Sequence, residues 1–453
     1  MKSKNLKKTA ADFYLRKPSI LYPNRPLQYG AFVDTIVRGK NSYIYDSNNK
    51  KYLDANSGLW NVTLGYSNLS IIKAIEKQSK ALPFVSLISF SNPVVVGLAE
   101  KLLSITSKRF ERVLLTCSGS ESIEAAIKIV RKISRIRGST TKFQVATFEL
   151  SYHGTSYGAM SASGIDRQLS EDYEPKVPGF VTLPSPFCKC CPCEKMAPQC
   201  RVEIANSLNS FFSQHGASLA AVLAEPILGS GGVLPLHKEY ILQLHQLCQK
   251  NQVLLVFDEV ATGFGRSGKF FCFQKLGIVP DILCLGKGIN SGYLPLAALL
   301  ISGEICDTLK EAGAFIDHFS TQNGNPIACA SGLAAIDFIE KKKLIPRVEE
   351  AGIKLKSNLK KSLKGNPAVF EIRGQGLMIG IELVHDKEKR VPYSPHEILE
   401  IEIGLRRKGL IVYPFFSPIN SGISLFPTLI ITDKQAEWIT DKIVEQLSSE
   451  KID

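Results

Sequence analysis

The segment PDILCLGKGINSGYLPLAALLIS, residues 280–302, places a charged side chain directly after a short apolar run. Ile282–Leu285 has the apolar character of a strand that is buried on both faces. Lys287 follows at once, between two glycines. A lysine at the end of a buried strand is poorly placed for a solvated surface charge. We therefore expect Lys287 to belong to a functional site.

Strand-like runs alternate with helical stretches between about residues 60 and 325. The predicted strands are RVLLTC (112–117), FQVATFE (143–149), AAVLAEP (220–226), VLLVFDE (253–259) and DILCLG (281–286). ESIEAAIKIVRKIS (121–134) has apolar residues on one face at helical spacing. This alternation predicts an α/β protein with a mostly parallel central sheet that is covered by helices.

Beyond about residue 326 the pattern changes to long helices and a few strands, FEIRGQGLMIGIEL (370–383) and LIVYPF (410–415). We predict three parts of the chain: an N-terminal arm with part of a small domain, 1–59; a large domain, 60–325; and a C-terminal smaller α+β domain, 326–453. A chain of 453 residues that is 44% hydrophobic has enough apolar material for more than one domain.

Composition and charge set limits on the partners. The net charge of +13 comes from scattered lysines without a nucleic-acid recognition motif, so we expect a solvated surface and no nucleic acid. No apolar run reaches the roughly 18 to 20 residues of a membrane span, and the basic N-terminus lacks an apolar signal core. We expect a cytoplasmic protein without a membrane partner.

Ligands of open α/β sheets bind beyond the carboxyl ends of the strands. The residues that follow the predicted strands are Ser118, Gly119 and Ser120, then Tyr152 and His153, then Glu225, Asp258 and Lys287. The serine and glycine residues before a helix suit a phosphate, although they are also ordinary capping residues. Tyr152 could stack on a flat ring or pack on the core. Asp258 needs a cationic or proton-sharing partner, because an isolated buried carboxylate is costly.

The combination is more specific than any of its members. A phosphate loop, an aromatic ring, a buried aspartate and a lysine match the requirements of pyridoxal 5'-phosphate. The lysine amine forms a Schiff base with the aldehyde, and the aspartate keeps the pyridine nitrogen protonated so that the ring accepts electrons. Burial would also lower the pKa of the lysine.

At these residues the chain resembles the class III, or omega-type, aminotransferases of fold type I. The similarity runs from DANSGLWNVTLGY to ISLFPTLIIT, and its most specific segments are LLVFDEVATGFGRSGKFF and PDILCLGKGINSGYLPLAA. SGSESIEAAIKI resembles the phosphate loop, SYHG the ring-stacking motif, AEPILGSGGV the strand and turn that follow, and HFSTQNGNPIACA the segment that crosses a dimer interface.

The resemblance implies a role for each matching residue. Lys287 binds the cofactor and moves the proton, Asp258 pairs with the ring nitrogen, and Val260 packs on the ring opposite Tyr152. Gly119 and Ser120 bind the phosphate. Thr321 adds a donor to the site of a neighbouring subunit, which implies a homodimer. Trp60 forms a wall of the substrate pocket, and Tyr413 lies in the segment that faces it.

Two departures from the family pattern bear on the substrate. Ala261 stands where DEVQTG members have glutamine, and YPFFSPINSGISLFP contains Tyr413 but no arginine where many members bind a substrate carboxylate. This favours an amine, aldehyde or ketone as one substrate. Arg373 matches a structural position as readily as a carboxylate-binding one.

Five of the eleven cysteines crowd into FCKCCPCEKMAPQC: Cys188, Cys190, Cys191, Cys193 and Cys200. Thiolates at CxxC spacing are competent zinc ligands. Three of the five match a loop of amine-using relatives, and no second CxxC pair appears at zinc-ribbon spacing. We expect a reduced loop near the pocket entrance and no metal.

These observations predict an aminotransferase that moves an amino group between an amine or amino acid donor and a carbonyl acceptor through the Lys287 Schiff base. Two alternatives stay open at this point. A racemase, decarboxylase, aminomutase or phospho-lyase can use the same fold, because fold does not fix the reaction. A catalytically silent binding protein would have a disabled cofactor site, whereas all the expected residues are present here.

Overall fold

A computed structural model describes residues 34–165, 170–188, 191–195, 197–417 and 419–449. Most of the predicted N-terminal arm, residues 1–33, and also Cys190 lie outside the described residues.

The strands of the described chain run, in order, as β1 (Ile36–Lys40), β2 (Tyr43–Asp46), β3 (Lys51–Asp54), β4 (Arg112–Thr116), β5 (Gln144–Thr147), β6 (Phe180–Thr182), β7 (Leu219–Ala224), β8 (Ile227–Leu228), β9 (Leu234–Pro235), β10 (Leu254–Asp258), β11 (Ile282–Leu285), β12 (Ala297–Ile301), β13 (Val369–Gln375), β14 (Met378–Asp386), β15 (Val391–Pro392), β16 (Leu410–Ile411), β17 (Tyr413–Phe416) and β18 (Ser421–Leu425).

The right-handed helices of the described chain are α1 (Leu69–Ala81), α2 (Pro93–Ile105), α3 (Gly119–Ile136), α4 (Tyr157–Ala162), α5 (Pro198–His215), α6 (Lys238–Lys250), α7 (Phe273–Leu276), α8 (Gly303–Glu311), α9 (Pro326–Lys341), α10 (Leu344–Ser362), α11 (Pro395–Arg407) and α12 (Asp433–Ser449). Short 3₁₀ turns cover Cys193–Lys195 and Lys287–Ile289. In the described part of the chain, no helix has both the length and the apolar character that crossing a membrane requires.

The central sheet has seven strands in the order β4-β12-β11-β10-β7-β5-β6. β12 runs antiparallel to both of its neighbours, and the remaining neighbours pair in parallel. The sheet is therefore mixed but mostly parallel, which confirms the predicted α/β fold class. Each of the five strands predicted from residues 112–286 is a strand of this sheet.

The strands are apolar throughout because both faces of the sheet are covered. Leu255 and Phe257 of β10 point into one hydrophobic cluster, whereas Leu254 and Val256 point into the cluster on the other side. Helix α3 contributes its apolar face, including Ile123, to this second cluster. The alternation of side chains in a strand thus lets every residue of β10 be buried.

Two larger sheets and the two-stranded pair β8-β9 lie outside the central sheet in the described chain. The first has the order β1-β2-β3-β16, so that residues near the N-terminus pair with a strand near residue 410. The second has the order β13-β14-β18-β17, and β15 pairs with β14. The domain boundaries at residues 60 and 326 remain predictions.

Candidate active site

A cavity of about 170 Å³ opens where the strands of the central sheet end. It is lined by Trp60, Gly119, Ser120, Tyr152, His153, Gly154, Glu225, Asp258, Val260, Ala261 and Lys287. Parallel strands bring together residues that are distant in sequence, because their carboxyl ends share one edge of the sheet. Asp258, for example, is paired in register with Cys284, three residues before Lys287.

Three predicted residues lie outside the lining of this cavity. Ser118 caps helix α3, since its side chain accepts a hydrogen bond from the Glu121 N–H. Thr321 is exposed. Tyr413 packs edge-on against Trp60, with ring centroids 5.1 Å apart, and so lies behind the cavity wall.

Lys287 has two unusual features. Its φ of 39° lies in the left-handed region that non-glycine residues rarely adopt, and such strain clusters at functional sites. Its Nζ lies 4.5 Å from the centre of the Trp60 ring. Burial lowers the pKa of Lys287, and only the more distant charges of Asp258 and Glu225 oppose that shift. No described carboxylate forms an ion pair with it.

Asp258 is fixed by two donors. Its Oδ2 lies 2.8 Å from Nδ1 of His153, and its Oδ1 accepts a 3.0 Å hydrogen bond from the N–H of Val260. His153 Nε2 is buried and has no hydrogen-bond partner among the described residues. A carboxylate offers about four acceptor positions, so Asp258 keeps the capacity to accept a further donor in the cavity.

Glu225 links the strand ends to the wall of the cavity. Its carboxylate accepts hydrogen bonds from the N–H groups of Tyr152, at 2.9 Å, and Gly229, at 3.0 Å. Burial raises the pKa of Glu225 to about 7, the Asp258 charge adds to that effect, and His153 opposes it. The contact to Tyr152 fixes the backbone that places this ring in the cavity.

The backbone at the start of α3 comes close to its surroundings. A Cβ on Gly119 would lie 2.9 Å from Val260 Cγ1, and one on Gly154, which has a φ of 126°, would lie 2.2 Å from Ser120 Oγ. The first N–H groups of a helix have no partner within the helix, and its positive end attracts anions. Small residues around the N-terminus of an 18-residue helix therefore suit a phosphate group.

A left-handed turn, which the sequence did not predict, forms the wall opposite this helix. Ser57, Gly58, Leu59 and Trp60 all have positive φ, between 47° and 67°. The turn places Trp60 against Phe426, with stacked rings 4.2 Å apart. Only Gly58 signals such a conformation in the sequence, because the other three residues rarely adopt it.

Arg373 lies outside the cavity and is completely buried. Its Nε and Nη2 donate to the Gly232 carbonyl, at 3.0 and 2.8 Å, and Nε also reaches the Val233 carbonyl at 3.1 Å. Nη1 forms ion pairs with Glu371 and Glu382. The guanidinium is thus fully engaged by the chain, which favours the structural interpretation of Arg373 over carboxylate binding.

The lining of the cavity fits pyridoxal 5'-phosphate on four grounds: a lysine without an ion pair among the described residues, a buried aspartate, the Tyr152 and Val260 side chains that can pack on a flat ring, and small residues at a helix N-terminus. Fold and cavity together define a fold-type I pyridoxal-phosphate-dependent enzyme.

The family follows from comparison with known proteins. The family model Aminotransferase class-III matches residues 27–447, and the chain belongs to that family. It is 35% identical over 434 residues to the adenosylmethionine-8-amino-7-oxononanoate aminotransferase of Methanocaldococcus jannaschii, covering 91% of this chain and 92% of that protein.

Solved structures agree with this assignment. A Bacillus anthracis aminotransferase is 31% identical, with a TM-score of 0.91 and coverage of 99% of this chain and 100% of that one. An amine transaminase from an uncultivated Pseudomonas species, solved in its pyridoxal-phosphate-bound form, is also 31% identical, with a TM-score of 0.89 and coverage of 96% and 99%. The protein is a pyridoxal-phosphate-dependent aminotransferase that acts on small-molecule amine and carbonyl substrates.

Proposed function

We propose that Lys287 binds the cofactor covalently and then moves the proton of the transamination. The observation that supports this most is an amine in the cavity whose pKa is lowered by burial and which has no ion pair among the described residues. A lysine in that state is a better nucleophile and proton acceptor at neutral pH than an ordinary lysine. Pyridoxal phosphate, when bound, supplies the aldehyde and the electron-withdrawing ring.

The other lining residues hold the ring and its phosphate. We assign Asp258 to the ring nitrogen, with His153 fixing the carboxylate at 2.8 Å and thereby orienting it. Tyr152 and Val260 would cover the two faces of the ring, and Glu225 positions Tyr152 through its N–H. The N–H groups of Gly119 and Ser120 would bind the phosphate, because they begin helix α3.

The substrate that fits best is an amine with an apolar group, in exchange with an aldehyde, ketone or keto acid. Among the described residues no arginine lines the cavity, and the donors of Arg373 are already used. The wall beside Lys287 consists of Trp60, with Phe426 stacked on it and Tyr413 packed edge-on against it. Such a wall favours apolar groups over carboxylates, and this supports our proposal that the protein is an omega-type member of the family.

Three further assignments complete the proposal. We propose a homodimer in which Thr321, exposed in a single chain, adds a donor to the site of the second chain. We propose a cytoplasmic location, and a division into a large domain, 60–325, and a small domain formed by 326–453 with part of 1–59.

A half-reaction without acceptor tests the donor class. The protein would be loaded with pyridoxal phosphate, mixed with 1-phenylethylamine, alanine or glutamate in turn, and followed by the absorbance change from the pyridoxal to the pyridoxamine form. We expect the fastest conversion with the arylalkylamine and the slowest with glutamate. Fastest conversion by glutamate would contradict the proposed donor class. The control for the lysine assignment is Lys287→Ala, which should show no conversion with any donor.

A further inference from the structure

The cysteine-rich loop brings three thiols from two parts of the chain to one point. Cys188 and Cys191 lie before a 3₁₀ turn, and Cys200 lies in the first turn of helix α5. The Sγ of Cys200 is 3.2 Å from that of Cys188 and 3.7 Å from that of Cys191, and all three sulfur atoms lie within 4.8 Å of one another.

These distances fit a shared metal ion better than a disulfide. A disulfide bond requires sulfur atoms about 2.05 Å apart and joins only two of them. Zinc–sulfur bonds of about 2.3 Å at tetrahedral angles place thiolate sulfurs about 3.8 Å apart. The Cys200–Cys191 spacing is near this value, the Cys200–Cys188 spacing is somewhat shorter, and the third lies within 4.8 Å, so small shifts would let the three sulfurs form one face of a tetrahedron.

The surroundings suit an anionic zinc–thiolate group. Helix α5 begins at Pro198, so its positive end lies beside Cys200. The Arg390 guanidinium donates to the carbonyls of Cys188, at 3.2 Å, and Cys191, at 3.3 Å, which places a cation at the same loop. All three cysteines are half-buried, so an ion can enter while the site stays sheltered.

Cys193, in the same loop, lies apart from this cluster. It is buried, and its Sγ faces the Pro235 carbonyl at 3.7 Å. The N–H groups of Cys193 and Glu194 donate to the Glu371 carboxylate at 2.9 Å, which anchors this end of the loop independently.

We propose that Cys188, Cys191 and Cys200 bind one zinc ion as thiolates, with the fourth ligand unassigned. Cys188 and Cys191 have CxxC spacing, and Cys200 joins them from the first turn of helix α5. Zinc binds such thiolate ligands well, whereas harder cations prefer oxygen ligands. This differs from the expectation of no metal, because sequence spacing did not place Cys200 beside the CxxC pair.

The site has a structural role and does not depend on the proposed donor class. Arg390, which holds the loop carbonyls, also pairs with Glu382 at 2.6 Å, and Glu382 in turn pairs with Arg373. Zinc would therefore fix the loop against the strand β14, and none of its three ligands lines the cavity of Lys287. Its loss is expected to lower the thermal stability of the chain and to leave the half-reaction of the loaded enzyme in place.

The test is metal content and thiol protection in the full chain. The protein would be expressed in zinc-supplemented medium, purified without chelator under reducing conditions, and analysed by inductively coupled plasma mass spectrometry. We expect about one zinc per chain. In the native protein, alkylation should spare Cys188, Cys191 and Cys200 as well as the buried cysteines, and a chelator should expose these three, as peptide mass spectrometry would show. Cys200→Ser and Cys188→Ser should lose the metal, whereas Cys193→Ala should retain it.

Three results would overturn the proposal. The first is a wild-type chain that holds no stoichiometric zinc and whose three thiols all alkylate. The second is an intact mass lowered by two hydrogens, which indicates a disulfide. The third is bound iron in place of zinc. Because these readings come from the wild-type protein, a variant that fails to fold does not affect them.

Discussion

Lys287 and Arg373 are both cations removed from bulk water, yet the protein treats them in opposite ways. Burial lowers the pKa of Lys287, since its nearest carboxylates are not in ion-pair contact. Burial alone would lower the pKa of Arg373 as well, but Glu382 and Glu371 contact it directly and raise that pKa above its ordinary value. The direction of each pKa shift therefore follows the partners: Arg373 has two carboxylates in direct contact, whereas Lys287 has none among the described residues.

The comparison shows how to distinguish a reactive buried cation from a structural one. Arg373 is completely buried and its nitrogens contact two carboxylates and two carbonyls, so it is not presented to a ligand in the cavity. Lys287 keeps accessible surface only because its side chain lines the cavity, and it is held in a strained conformation. An unpaired buried charge is costly. A protein therefore retains such a group where a bound ligand becomes its partner.

Lys287→Ala should give the largest effect on activity. Removing the amine that moves the proton is expected to reduce transamination by roughly 10²–10⁴-fold. The thermal stability of the cofactor-free chain should not fall, because an unpaired charge is removed from a buried position. The measurements are turnover with a saturating amine and thermal unfolding without cofactor. Lys354→Ala, at an exposed lysine that pairs with Asp433, is the control.

Arg373→Met should show the opposite pattern. Breaking a buried ion pair on one side leaves Glu371 without an ion-pair partner among the described residues and Glu382 with Arg390 alone, at a cost of about 3–5 kcal/mol in the free energy of unfolding. The KM for a carboxylate-bearing donor should change little. Urea unfolding measures the effect on stability, and steady-state kinetics measures the effect on KM. An unchanged stability with a strongly raised KM would mean that Arg373 binds a substrate carboxylate.

The fold and most of the cavity could be predicted because local signals agree there. Continuous apolar runs such as Leu254–Asp258 can only be buried strands in a covered sheet, and strand ends then collect at one edge. Lys287 and Asp258 were found in this way. The residues that line the cavity without being predicted as site residues are Gly154 and, noted only as a departure, Ala261.

Contacts between distant segments could not be read from the sequence. The left-handed turn that positions Trp60 depends on packing against Phe426, more than 360 residues away in the chain. The hydrogen bonds of Arg373 depend on the backbone carbonyl of Gly232, which is distant in sequence. The contact between Cys200 and Cys188 depends on where helix α5 begins. Periodicity gives the direction of a side chain but not the identity of its partner.

Glu225→Gln should shift the titration of Lys287 in the cofactor-free chain. The ionised Glu225 carboxylate raises the pKa of Lys287, so removing its charge should lower that pKa further. The difference should be visible only above about pH 7, since the Glu225 pKa is raised to about 7 by burial and the group is neutral below it. Trinitrophenylation of Lys287, followed by peptide mass spectrometry across pH, measures the shift.

Glu259→Gln is the matched control for this experiment. Burial raises the pKa of Glu259 to about 7 as well, and its carboxylate accepts from the N–H groups of Cys272 and Phe273. It is absent from the charges that act on Lys287. An equal shift in both variants would show that general disturbance of the fold, and not the Glu225 charge, sets the lysine pKa.

Thr321→Ala should have the smallest effect, a modest loss of cofactor affinity. It tests whether the Lys287 site needs a residue of a second chain, whereas the Arg373 network lies within one chain. Loss of one hydrogen bond costs about 1 kcal/mol, so pyridoxal phosphate should bind roughly five-fold more weakly. Thr308→Ala, which removes the hydroxyl of an exposed helical threonine, should leave cofactor affinity unchanged.

Mixed dimers make the Thr321 prediction decisive. If Thr321 serves the partner's site, a dimer of one Lys287→Ala chain and one Thr321→Ala chain places both substitutions in one site and leaves the other unaltered. Such hybrids, isolated with two affinity tags, should regain one site with wild-type cofactor affinity. If Thr321 acted in its own chain, every hybrid site would be altered, and a monomer by light scattering would contradict the shared site directly.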